Sequence, residues 1–139
     1  MKTAPLSAYQ ETLGMIYFAR MLDKIRQNAA GTLREDFRDN LGSGFDGRCA
    51  DFLRVKYEDL VARTLQGGSG EEILKWCFVN GRELSEGDIF IWNNYLKKVG
   101  WKDGVSEILA RRKMESGLEG RDEIETMLEY FEYDEGRKS

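Results

Sequence analysis

The chain has 139 residues, 25 acidic and 21 basic side chains, a net charge of −4 and no histidine. That length predicts one domain with one core, and 41% apolar with 33% charged residues fit a soluble globular chain rather than a disordered one. The acidic balance argues against nucleic acid, whose binders carry a basic surplus. The missing histidine removes the usual general base, the Ser-His and Cys-His pairs, most zinc sites and a proximal haem ligand.

Any catalysis would therefore fall to carboxylates, Lys, Tyr, Cys or a carboxylate-held metal. "MKTAPLSAYQ" has no apolar leader region, and no apolar run approaches the length of a membrane span. A cytoplasmic location with no membrane partner is expected. Cys49 and Cys77 show no CxxC spacing and read as free, packed thiols.

In chain order, the first predicted helix covers 8–30. Ser7 with Gln10 reads as its capping box, and Gly31 as its C-terminal stop. Residues 32–56 are rich in Asp and Gly and lack a long apolar period. They read as a structured loop with a short helical turn near 47–53, and a loop of that length is often functional. Further helices are predicted at 57–66, 70–80, 86–99, 104–116 and 121–134. Ser69 with Glu72 and Ser85 with Asp88 are capping boxes, and Asp103 is an N-cap. Gly67, Gly81, Gly100 and Gly117 follow helices as residues expected at positive φ. Helices 70–80 and 86–99 are apolar nearly all round and are expected at the centre. The tail "YDEGRKS" is expected to fray.

Several motifs have a bland reading that wins. "GSGFDG" is a literal GxGxxG at Gly42, Gly44 and Gly47, but "REDFRDN" before it is charged rather than a buried strand, so a loop is expected and not a nucleotide site. Asp36, Asp39, Asp46 and Asp51 do not fit a calcium loop. Arg111, Arg112 and Lys113 suit a helix C-terminus. Trp76, Trp92, Trp101 and Tyr95 read as core aromatics.

The first helix is the exception. At 100° per residue, Leu13, Ile16, Tyr17, Arg20, Asp23 and Lys24 share one side, so Arg20 and Lys24 start from a semi-buried stripe. Asp23 lies three residues from Arg20 and could pair with it. One reading is a structural Arg20–Asp23 clasp that also ties down loop 32–56. The other is a polar pocket in which Arg20 and Lys24 hold a carboxylate or phosphate.

"LGMIYFARMLDKIRQNAAGTL", "FDGRCADFLRV", "EEILKWCFVNG" and "IFIWNNYL" together resemble a bacterial domain-of-unknown-function family, number 5069. Arg20, Met21, Leu22, Asp23, Lys24, Arg26, Gly31, Asp46, Phe52, Leu53 and Trp76 match its pattern, while Ala19 stands where Pro is common. The resemblance covers roughly 8–115 and leaves 116–139 as an added C-terminal helix. It implies a small cytoplasmic bacterial protein with no assigned activity, and marks Arg20, Asp23, Lys24 and Arg26 as a motif without giving them chemistry.

The resulting expectation is a single all-α domain, 1–139, of about six helices. Its expected function is that of an interaction or self-association module, with a second copy as partner. The alternative is a small-molecule or anion binder, or an enzyme, using Arg20, Asp23 and Lys24. No cofactor, metal or nucleic acid is called for.

Overall fold

The computed structural model describes residues 2–139. It is mostly helical, with seven α-helices, one 3-10 helix and a single two-stranded hairpin among the described residues. The chain packs as two compact units, Met1–Ile89 and Phe90–Ser139.

In the first unit, the predicted helix 8–30 is divided. Strands β1 (Glu11–Thr12) and β2 (Met15–Ile16) form an antiparallel hairpin, and helix α1 begins only at Phe18 and runs Phe18–Ala30. The reason is local. Thr12 pairs with Met15 across the two-residue loop Leu13–Gly14, and both loop residues have positive φ, 51° and 83°, as a type I′ turn demands. That backbone is incompatible with a helix. Ser7 accordingly caps no helix. Its hydroxyl accepts the Tyr9 N–H at 3.1 Å and its carbonyl accepts the Gln10 N–H, making a turn.

Loop 32–56 holds more structure than its composition suggests. It contains the 3-10 helix Glu35–Asn40 and helix α2, Phe45–Leu53. Helices α3 (Tyr57–Leu65) and α4 (Gly70–Asn80) follow where the periodicity places them. The Ser69–Glu72 capping box forms reciprocally. Helix α1 is the centre of this unit, packing on α3, α4 and β1. Met15, Ile16, Phe18, Met21, Leu22, Leu53, Leu60, Ile73 and Leu74 are all buried. Helix α4 buries Ile73, Leu74 and Cys77 but leaves Val79 exposed, so it is not central.

Four of the five predicted stop glycines do have positive φ, but Gly81 has φ −125°. Its requirement is space rather than conformation. A Cβ there would lie 2.1 Å from the Leu53 carbonyl oxygen and 2.9 Å from that of Arg54. Only glycine lets the end of α4 approach the α2–α3 turn this closely.

Helix α5 runs Glu86–Lys98 and opens on the predicted Ser85–Asp88 box, with Asp88 N–H donating to Ser85 Oγ at 3.1 Å and Ser85 N–H to Asp88 Oδ2 at 2.9 Å. It buries Trp92 and Leu96 only. Phe90, Ile91 and Tyr95 are exposed, which corrects the expectation of an all-round buried helix.

In the second unit, α6 (Ser106–Glu115) packs on α7 (Met127–Asp134), and Leu109, Ile124, Met127, Leu128 and Tyr130 are buried. The Met127 N–H donates to the Val99 carbonyl at 2.9 Å. Lys113, from the Arg-Arg-Lys run, donates to the carbonyls of Arg121 and Ile124 at 2.7 and 3.1 Å. The tail is held rather than frayed: the Arg137 and Lys138 N–H groups both reach the Glu132 carbonyl, and Arg137 pairs with the Glu132 carboxylate at 2.9 Å.

Candidate functional site

The charged motif of α1 is buried, and the structure divides its members between two separate tasks. Arg20 is 2% exposed and Lys24 6% exposed, among the most deeply placed cations the chain could carry.

Arg20 and Asp23 grip the same residue. Arg20 Nη1 donates to the Leu6 carbonyl at 3.1 Å, and Asp23 Oδ2 accepts the Leu6 N–H at 3.0 Å. Gln27, one turn further along, donates to Asp23 Oδ2 at 2.7 Å and to the Ala4 carbonyl at 3.3 Å, and accepts from Thr3 Oγ1. Residues 20, 23 and 27 follow one face of α1. That face holds the N-terminal segment as an extended strap, which also bridges Thr3 to Leu33. The expected Arg20–Asp23 clasp thus closes on a peptide unit instead of on itself. Leu6 offers both a donor and an acceptor that need partners once covered. Arg20 also reaches the loop, with its guanidinium 5.5 Å from the centre of the Phe37 ring.

Lys24 performs the task that spacing assigned to Arg20. Its Nζ lies 2.9 Å from Asp46 Oδ1, with the Asp46 side chain fully buried. Tyr17 OH donates to the same Asp46 oxygen at 2.7 Å, and Lys24 Nζ donates to Tyr17 OH at 3.3 Å. The second Asp46 oxygen accepts the Gly42 N–H at 3.1 Å. This N–H belongs to the GxGxxG segment, which is thereby tied to the first residues of α2. Lys24 and Asp46 therefore lock loop 32–56 onto α1. A buried pair of this kind persists only when its remaining donors and acceptors are satisfied, as they are here.

Tyr17 is held under strain to make this network. Its φ is 75° and ψ −34°, outside the regions L-residues favour, at a cost of about 1–3 kcal/mol. Its N–H donates to the Ala8 carbonyl at 2.9 Å and its ring packs edge-on against Phe45, contacts that fix it from three sides.

Burial, reinforced by the Asp46 charge, pushes the Tyr17 hydroxyl well above its ordinary value. The same two causes, in the same order, raise the Cys49 thiol beside it and the Tyr57 hydroxyl. Arg26, the last motif member, is separate: its Nη2 donates to the Gly68 carbonyl at 3.1 Å in an exposed setting.

Spacing along the first helix places Tyr17 on the side of Lys24, but it cannot reveal Asp46, a partner that arrives from a different element. The one available signal was Asp46, which stands in the matched family pattern and follows a Gly-rich turn.

Comparison with curated proteins of known role returns no match. A family profile described as Domain of unknown function (DUF5069) matches residues 2–137, which extends the likeness past 8–115 at both ends and takes in α7. With nearly its whole length matched, the chain belongs to the DUF5069 family.

Proposed function

We propose that this protein is an interaction module that pairs with a second copy of itself through the exposed face of α5. The observation that carries the reading is the exposure of Phe90 (68%), Ile91 (65%) and Tyr95 (41%) on one helix. At 100° per residue these three side chains share an arc of about 140° on α5, separate from the buried Trp92 and Leu96 and bordering them at Tyr95. Scattered apolar residues need no explanation, but three large ones on a single face mark a contact surface.

A second copy suits this face on grounds of charge. Helix α5 carries Glu86 and Asp88 in its first turn and Lys97 and Lys98 in its last. Two copies laid antiparallel about a twofold axis bring each acidic end to a basic end, which a self-complementary interface requires. A reducing cytoplasm belongs to the same proposal. It is supported by the two free, buried thiols, Cys49 and Cys77.

Light scattering coupled to size exclusion tests it. The wild-type chain is expected to show a dimer mass that dissociates on dilution, and I91K to run as a folded monomer. A wild-type mass that stays monomeric at millimolar concentration would overturn the proposal.

A further inference from the structure

The cations that the sequence singled out are used inside the fold, but another set is not. Arg54 and Lys56 lie in the turn between α2 and α3 and are exposed. Neither side chain has a hydrogen bond or ion pair among the described residues. With Arg63 they line an open hollow of about 470 Å³ between α3 and α4, within the first unit. Asp59 is the one carboxylate in its lining, although the chain as a whole carries net charge −4. The remaining lining includes the half-buried Trp76 and the amides of Gln66 and Asn80.

The walls are built rather than accidental. Asp59, Ala62, Arg63 and Gln66 are spaced i, i+3, i+4 and i+7 on α3, so they present one face to the hollow. Trp76 and Asn80, four apart on α4, form the opposite wall, and Asn80 Nδ2 is fixed to the Trp76 carbonyl at 2.9 Å.

The rim carrying Arg54 is locked from behind. The close approach of Gly81 to Leu53 and Arg54 leaves no slack. Arg82 donates twice to the Phe52 carbonyl, at 3.1 and 2.8 Å, while its guanidinium sits 4.6 Å from the Phe52 ring centre. Arg54 itself holds φ 58°, which directs the chain sharply from α2 into α3. Arg63 is braced by one bond to the Gly67 carbonyl at 2.8 Å. A rigid concave surface with convergent cations and one large aromatic has the character of a small-molecule site.

We infer that this hollow binds a small organic anion, with its flat ring against Trp76 and its phosphate or carboxylate held by Arg54, Lys56 and Arg63. Cationic side chains converge on the anion, and Arg offers it paired donors. The indole face supplies stacking area that an inorganic ion cannot use. The inference is independent of the pairing proposed for α5.

The test is a ¹H–¹⁵N NMR titration of the full chain, with the Trp76 indole resonance assigned by its loss in W76F. The probes are AMP, salicylate, adenosine and inorganic phosphate. The expected result is a saturable shift of the Trp76 indole with AMP or salicylate, whichever carries the preferred anion. Adenosine and inorganic phosphate, each lacking one half of the chemistry, should bind at least about tenfold more weakly. The double variant K56Q/R63Q should weaken the better probe by at least about tenfold while keeping the wild-type Tm, since both substitutions are at the surface. No shift with either ring-bearing anion up to about 10 mM overturns the inference. So does an affinity unchanged in a normally folded K56Q/R63Q, or adenosine binding as tightly as AMP.

Discussion

Arg20 and Lys24 on α1, and Arg54 and Lys56 ahead of α3, are the same two residue types used in opposite ways. The first pair is 2% and 6% exposed, and each cation is bonded to a segment of chain that it fastens: the N-terminal strap for Arg20 and loop 32–56 for Lys24. The second pair is exposed and fastens nothing. The difference lies in the neighbours. Arg20 and Lys24 interrupt an apolar helical stripe, so burial is imposed on them and partners must be supplied. Arg54 and Lys56 stand in a turn, where the backbone alone sets the geometry and the side chains remain available to solvent or a ligand. A charge motif set in apolar periodicity is therefore better evidence of a fastening than of a binding site.

The largest test of this contrast is D46A. It removes the buried carboxylate that lies 2.9 Å from Lys24 Nζ and leaves the ammonium enclosed. A loss of about 3–5 kcal/mol in chemical denaturation is expected, against less than about 0.5 kcal/mol for K56Q. Replacing both charges by apolar groups, as in K24M/D46L, should recover most of the loss, because the expensive state is one buried charge without its partner. If D46A costs under about 1 kcal/mol, the buried pair is no fastening and the contrast fails.

A smaller effect separates the two tasks within α1. R20A and D23A each remove one bond to Leu6, and each should cost about 1–3 kcal/mol. Because both act by holding the same strap, the double variant should cost less than the sum, by about 0.5 kcal/mol or more. Strict additivity would mean that the strap is not a shared element.

How much of this was legible depended on whether the information was local. Helices α3, α4 and α5 fall within a residue of their expected bounds because apolar periods, and for α4 and α5 capping boxes as well, are local to each segment. The burial of Arg20 and Lys24 was legible for the same reason. The hairpin at 11–16 was missed because its apolar residues also fit a helical stripe, and only the positive φ of Leu13 and Gly14 distinguishes the two. The partnership of Lys24 with Asp46 bridges separate elements, and no helical spacing encodes it. The basic hollow was missed for the converse reason. Arg54, Lys56 and Arg63 form no motif in sequence and Trp76 reads there as a core aromatic; the four meet only when α3 packs on α4.

The smallest effect comes from the buried thiols, one in each region. Cys49 lies beside Asp46 and Lys24, whereas Cys77 on α4 feels the charge of Arg63 from the hollow. Burial pushes Cys77 from 9.0 up to about 12, and Arg63 offsets a part of that rise. The folded state therefore keeps its proton where the unfolded chain releases it. The stabilisation is complete below pH 9 and is lost as pH rises towards 12. At pH 10 this linkage amounts to about 1.4 kcal/mol of lost stability. Lys and Tyr side chains titrate in the same range, so the measurement is a difference. The stability of C77A between pH 8 and 10 should fall by about 1.4 kcal/mol less than that of the wild type. Adding R63Q to the wild type removes the charge that holds the thiol down, and should steepen the loss slightly above pH 11. If R63Q leaves that slope unchanged, the Arg63 charge does not act on the Cys77 thiol.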